Sequence, residues 1–111
     1  MTWLAWTIFL GSALLEVGGD AMVRRGLRMH GFLAIAIGFA MLGSYGILVN
    51  TVKWDFSKLL GVYVAIFAIV SVLAGKILFK ESIPWSTWVG IAVISTGGLV
   101  IQFGDRMAWK N

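Results

Sequence analysis

The chain has 111 residues, of which 59% are hydrophobic and 13% are charged, and its formal net charge is +4. Ordinary soluble domains carry about twice that share of charged residues, so the composition excludes that class. With no cysteine and a single histidine, neither a disulfide framework nor a metal site is expected. The basic residues flank apolar segments, which favours lipid headgroups over nucleic acid as their partners.

Four apolar segments follow one another with short polar breaks between them, at about residues 3–23, 31–49, 59–79 and 85–103. A helix needs roughly 20 apolar residues to cross the hydrocarbon core of a bilayer. The sequence therefore predicts an all-α integral membrane protein with four transmembrane helices in a single domain, residues 1–111. The first segment has no basic leader and is too acidic for a cleaved signal, so it is interpreted as a span. We expect a multi-pass protein of the cell (inner) membrane.

The first segment carries two carboxylic acids, Glu16 and Asp20, one helical turn apart. An ionisable group inside a bilayer costs at least ~2.5–3.5 kcal/mol, so it is rarely present without a function. Ser12 shares the helix face of Glu16, because residues three or four apart lie on one face. Apolar surroundings and a second nearby acid both favour the neutral form of a carboxyl group. An acid in this position can exchange a proton for a cation.

The two acids are not equivalent. Asp20 lies four residues before Arg24, so it either forms an ordinary surface pair with that arginine or adds a second anionic contact to the site. Glu16 is the stronger candidate for proton coupling. Tyr63 in the third segment is predicted to hydrogen-bond Glu16 or to hold a cation against its ring; the alternative is an interfacial aromatic residue. Tyr45 is a further polar candidate in the second segment.

The basic residues give little guidance on orientation. Four lie on one side of a four-span protein and five on the other: Lys53, Lys58, Arg106 and Lys110 against Arg24, Arg25, Arg28, Lys76 and Lys80. The positive-inside rule requires an imbalance. The chain therefore inserts in both orientations, or a partner settles its orientation, or the arginine cluster in the first loop holds that loop in the cytoplasm. Insertion in both orientations (dual topology) predicts an antiparallel homodimer.

Some of these cations are also candidates for lipid or anion contact, namely Arg24, Arg25 and Lys76. Lys76 has the alternative of extending its stem to the membrane surface.

Small residues recur at helix-packing intervals in the later segments, as in the pairs Ala34 and Gly38, Gly61 and Ala65, and Gly90 and Gly97. A helix with two small faces packs on two sides, which also favours a dimer.

The chain resembles the small multidrug resistance transporters, the four-helix members of the drug/metabolite transporter superfamily. Leu15-Glu16-Val17 is similar to the family's motif around its membrane-embedded glutamate, and residues 79–83 (FKESI) are similar to its third loop. Gly90 and Gly97 stand at the spacing that the family uses for contacts between subunits. The resemblance implies an antiparallel homodimer in which two copies of Glu16 share one site and exchange protons for substrate, without a cofactor.

Two departures from the family pattern lie in the third segment. Tyr63 stands where the family has a tryptophan, and residues 66–69 (IFAI) replace the Gly-x-Gly that follows it. The run of residues 61–64 (GVYV) looks more like an uncharacterised sister group of small membrane proteins in the same superfamily. The resemblance therefore predicts the fold of this chain better than it predicts the substrate.

The leading hypothesis is a proton-coupled exporter of a small cationic or amphipathic solute, with Glu16 as the coupling residue. Ser12 and Tyr63 support it, and Asp20 adds a second anionic contact. The alternatives are a carrier of lipid-linked substrates and a non-transporting assembly partner in the membrane. The partner subunit is a second copy or a paralogue. An enzyme is not expected, because the spans hold no nucleophile–base pair and no metal set.

Overall fold

The computed structural model describes residues 2–104, which form four α-helices: α1 (Thr2–Met29), α2 (Phe32–Val49), α3 (Phe56–Leu78) and α4 (Trp85–Phe103). Each helix is long and apolar enough to cross a membrane, which confirms the predicted all-α membrane fold. The chain divides into two compact units, the first ending at Lys53 and the second beginning at Trp54. Their union into one domain stays a prediction. Arg106 and Lys110, which entered the predicted charge balance, lie outside the described residues.

The first helix runs past the predicted end of its span. That span was expected to finish at about Val23, whereas α1 continues to Met29. Arg24, Arg25 and Arg28 therefore lie on the last turns of the helix, and the prediction that they belong to a loop is wrong. Arginine is a good helix former, and a cation near the C-terminus of a helix is stabilised by the helix dipole.

A tight turn joins α1 to α2. His30 has a positive φ of 53°, and the Gly31 N–H donates to the Gly26 carbonyl over 2.8 Å. This is the Schellman arrangement, in which a residue in the left-handed region ends a helix. Histidine is one of the non-glycine residues that enter this region more readily. The turn lets α2 begin at Phe32 and pack back along α1.

Two glycines set the separation of α1 and α2. A Cβ on Gly19 would lie 3.0 Å from the Gly38 carbonyl oxygen, and a Cβ on Gly38 would lie 2.8 Å from the Gly19 carbonyl oxygen. The two backbones therefore touch, and no side chain fits between them. The predicted packing role of Gly38 is confirmed.

The second unit is a hairpin of α3 and α4. A Cβ on Gly98 would lie 2.8 Å from the Ala65 Cβ, and a Cβ on Gly61 would lie 2.7 Å from the Ile101 Cδ1. The predicted packing face of Gly61 and Ala65 is thus confirmed. Gly19 and Gly38 in the first unit meet backbone atoms as well as side chains, whereas the atoms nearest to Gly61 and Gly98 belong to side chains of the neighbouring helix.

Little of the apolar surface is enclosed within the chain. Only 11% to 22% of the apolar window of each span is buried, and the described part of the chain exposes large side chains such as Phe32, Ile47 and Trp85. Soluble monomers rarely present continuous apolar surface on this scale. Lipid or a partner subunit is needed to cover it.

Candidate functional site

Three of the predicted site residues lie one turn apart on α1 and differ in burial. Ser12 is completely buried, Glu16 is half-buried and Asp20 is exposed. Phe9, which continues the same face, is also completely buried. The face thus passes from the enclosed interior at Ser12 to an accessible position at Asp20, with Glu16 between them.

The other side of α1 is apolar and exposed. Leu10 and Leu14 expose 51% and 58% of their surface. These two residues therefore face away from the interior of the unit. Glu16 and the exposed leucines therefore lie on opposite sides of α1, and Glu16 is not on the side that suits lipid.

Helix α2 brings Tyr45 to the level of the acids. The contact of Gly18 with Met41 fixes the antiparallel register at this height. Tyr45 lies close enough to Glu16 and Asp20 for the charges of both carboxylates to act on its hydroxyl. The predicted residues Glu16, Asp20 and Tyr45 thus lie on the two facing helices of the first unit, within range of one another's charge. Carboxylates and a phenol ring are groups that hold a cation by charge, by hydrogen bonds and by the ring face.

The Ser12 hydroxyl stands out from the other hydroxyls of the helices. It is completely buried, and within residues 2–104 it has no hydrogen-bond partner. Several other helical hydroxyls donate to a carbonyl about one turn earlier in their own helix: Thr7, Ser44, Ser71 and Thr96. Such bonding back to the helix is the local alternative open to serine and threonine. A buried polar group that lacks a partner is uncommon and requires an explanation.

Tyr63 belongs to the second unit, where it is buried with 3% of its surface exposed. Its ring centre lies 6.3 Å from that of Phe67, one turn later on α3. This burial disfavours the alternative of an interfacial aromatic residue. The hydrogen bond from Tyr63 to Glu16 stays a prediction.

Gly90 and Gly97 form an open strip on α4. Among residues 2–104, no neighbouring atom would lie within 4 Å of a Cβ added to either glycine. They are distinct from Gly98, which packs against Ala65. The strip is therefore accessible to another helix, and its use as a contact between subunits stays a prediction.

The basic candidates lie exposed at helix ends, with Arg24 and Arg25 on α1 and Lys76 in the last turn of α3. After α3 the chain turns back, and the N–H groups of Phe79 and Glu81 both donate to the Gly75 carbonyl. These positions suit cations that reach a membrane surface. Their contact with lipid or another anion stays a prediction.

Comparison with known proteins gives the family. The chain is 37% identical over 104 residues to a UPF0060 membrane protein of Rhodococcus jostii (strain RHA1), a match that covers 89% of this chain and 93% of that protein. The chain belongs to the UPF0060 family of membrane proteins. A UPF0060 membrane protein of Streptomyces avermitilis is also 37% identical, over 89% of this chain and 90% of its own length. One from Rhodococcus erythropolis is 41% identical over 60% of this chain and 63% of its own length.

The names of these UPF0060 relatives describe membrane proteins and mention no substrate or activity. They agree with the predicted membrane location. No family model and no solved structure matches the chain. Three expectations stay predictions for this UPF0060 protein: transport activity, a location in the inner membrane, and kinship with the small multidrug resistance transporters.

Two structural features were not among the predicted site residues or helix contacts. One is the partnership of Gly19 with Gly38, although the recurrence of Gly11, Gly19 and Gly26 along the first segment is a signal for it. The other is Gln102 in α4, which is buried and whose Oε1 has no partner within residues 2–104. A lone amide in an apolar span was the available signal for Gln102.

Proposed function

We propose that this UPF0060 protein is a proton-coupled exporter of a small cationic or amphipathic solute in the inner cell membrane. The observation that carries this proposal is the position of Glu16. The residue is half-buried in an apolar helix, and it lies one turn from a completely buried serine and opposite the helix that carries Tyr45. An acid in such surroundings is a functional site by default.

The chemistry requires that a proton and the solute compete for Glu16. When the carboxylate binds a cation, it cannot hold its proton, and when it is protonated, its attraction for the cation is lost. A proton therefore displaces the cation, and exchange across the membrane follows when the site opens to one side at a time. Asp20, exposed one turn nearer the end of α1, adds negative charge along the approach to the site. Protons serve as the coupling ion, and no cofactor takes part.

A second subunit completes the transport path in this proposal. Each span leaves most of its apolar surface uncovered within the chain, and the strip of Gly90 and Gly97 offers a place for close helix contact. The resemblance to the small multidrug resistance transporters supports an antiparallel homodimer in which two copies of Glu16 share one site. A paralogous chain is the alternative partner.

Transport in liposomes tests the proposal. Purified protein in vesicles with an imposed pH difference should drive uptake of at least one solute from a panel of amines and guanidinium compounds. Glu16→Gln should abolish the pH-driven component, whereas Leu14→Gln, on the exposed side of the same helix, should retain it. The proposal fails if the native protein moves no solute of the panel, or if Glu16→Gln retains pH-driven uptake.

A carrier of lipid-linked substrates is the second candidate. It is favoured by the exposed arginines at the end of α1, a region of the chain that also exposes the apolar residues Leu27 and Phe32. This mixture of cations and apolar side chains suits a phospholipid headgroup and its acyl chain. In that case, replacing Arg24 and Arg25 by Gln would impair function more than Glu16→Gln. If neither set of substitutions has an effect, an assembly role remains.

A further inference from the structure

We propose that the Ser12 hydroxyl selects cations that carry N–H groups over cations that are fully methylated. The inference rests on the proposed function, because it concerns the cation site of Glu16. It goes further by naming the chemical class of the solute and the residue that distinguishes it.

The first step is the energetic cost of Ser12 as it stands. A buried hydroxyl that makes no hydrogen bond loses its contacts with water and gains nothing in return. Ser12 is completely buried and without a partner within residues 2–104. Ser44, on the neighbouring helix, is exposed and donates to the Ala40 carbonyl over 2.8 Å. The Ser12 hydroxyl thus keeps a hydrogen-bonding capacity that no group within residues 2–104 uses, and in this proposal the bound solute reaches it.

The second step is the position of this hydroxyl. Ser12 precedes Glu16 by four residues, so the two side chains lie one above the other on the same face of α1. A cation held by the Glu16 carboxylate therefore lies within reach of the Ser12 Oγ. A cation with two or more N–H groups can donate one to the carboxylate and another to the hydroxyl.

The third step is the difference between classes of cation. A primary ammonium or guanidinium group offers several donors, whereas a trimethylammonium group offers none. With a trimethylammonium group bound, the Ser12 oxygen would stay buried and unsatisfied. A site that is built to hydrogen-bond its ligand discriminates strongly against an analogue that lacks the donor. The site therefore favours protic cations.

A matched pair of probes tests this inference, namely benzylammonium and benzyltrimethylammonium, which share ring and charge. Their affinities for the purified full-length protein are measured by calorimetry, together with those for Ser12→Ala. Ser44→Ala serves as the control, since it removes a hydroxyl that is already satisfied within its helix. We expect Ser12→Ala to weaken benzylammonium binding about tenfold, as for the loss of one hydrogen bond to a charged group. Binding of benzyltrimethylammonium should change less than about twofold, and Ser44→Ala should leave both affinities unchanged.

The outcomes separate the inference from the proposed function. A selective loss for benzylammonium supports the role of Ser12. Equal changes for both probes, or none, overturn the inference and leave the exporter proposal standing. If the native protein binds neither probe but transports other amines, the inference alone is overturned. A melting temperature of Ser12→Ala well below that of the native protein would assign the hydroxyl to folding and overturn the inference too.

Discussion

The two helical hairpins share an architecture and differ in chemistry. In the first, α1 and α2 touch backbone to backbone at Gly19 and Gly38. In the second, Gly61 and Gly98 meet side chains across α3 and α4. Both acids that lie within helices, Glu16 and Asp20, belong to α1, whereas α3 and α4 contain none.

This difference indicates a division of roles. A backbone contact cannot rotate away as a long side chain can, so the contact of Gly19 with Gly38 fixes the spacing of α1 and α2 at that height. Such fixed geometry is what a site needs to discriminate between ligands. The second hairpin leaves Gly90 and Gly97 uncovered, which suits a role in contact with another chain.

Substitution of Gly38 should break the first hairpin. Gly38→Ala places a Cβ 2.8 Å from the Gly19 carbonyl oxygen and 3.0 Å from the Val23 nitrogen, and neither backbone atom can rotate away. We expect the free energy of unfolding to fall by about 1–3 kcal/mol, measured by denaturation in detergent. Gly46→Ala, in the same helix, meets nothing within 4 Å among the described residues. This control should be neutral or stabilising by up to about 1 kcal/mol. Equal effects of the two substitutions would contradict the proposed rigidity.

Substitution of Gly97 should separate the roles of the two hairpins. Gly97→Leu fills the open strip of α4 without touching the contact between Gly98 and Ala65. We expect the association constant of the protein in detergent to fall at least about tenfold, or about 1.4 kcal/mol. Analytical ultracentrifugation measures it. The melting temperature extrapolated to low protein concentration should not change. Unaltered association would assign the subunit contact to another face.

Substitution of Gly61 should have the smallest effect. The three atoms nearest to a Cβ there all belong to the Ile101 side chain, and the one tight contact is with its Cδ1, the far end of a flexible side chain. Because Ile101 can adopt another rotamer, Gly61→Ala should change the free energy of unfolding by less than about 0.5 kcal/mol. The same denaturation series measures it. A loss as large as that of Gly38→Ala would show that the second hairpin is as rigid as the first.

Much of the fold follows from the sequence, because the length of each apolar segment determines whether it can span a bilayer. The end of α1 was not predictable from apolarity alone. Arg24, Arg25 and Arg28 are polar enough to suggest a loop, yet they are good helix formers and continue the helix to Met29. The reversal at His30 depends on a positive φ that sequence patterns indicate only weakly.

The site was predictable in part. Glu16 and Asp20 are conspicuous because acids are rare in apolar segments, and the helical period places Ser12 beside Glu16. The approach of Tyr45 depends on the register of α2 against α1, which the contacts of Gly18 with Met41 and of Gly19 with Gly38 fix. Ser12 and Ser44 look alike in the sequence. Only the three-dimensional arrangement distinguishes the buried hydroxyl without a partner from the one bonded to its own helix.

Proton release on ligand binding tests the central claim most directly. Benzylammonium is added to the purified protein in weakly buffered detergent solution at neutral pH, and the change in pH is recorded. The native protein should release protons, up to about one for each Glu16, because the cation and the proton compete for that carboxylate. Asp20→Asn should still release them, whereas Glu16→Gln should release none. Undiminished release from Glu16→Gln, or ligand binding to the native protein without any release, would contradict the account.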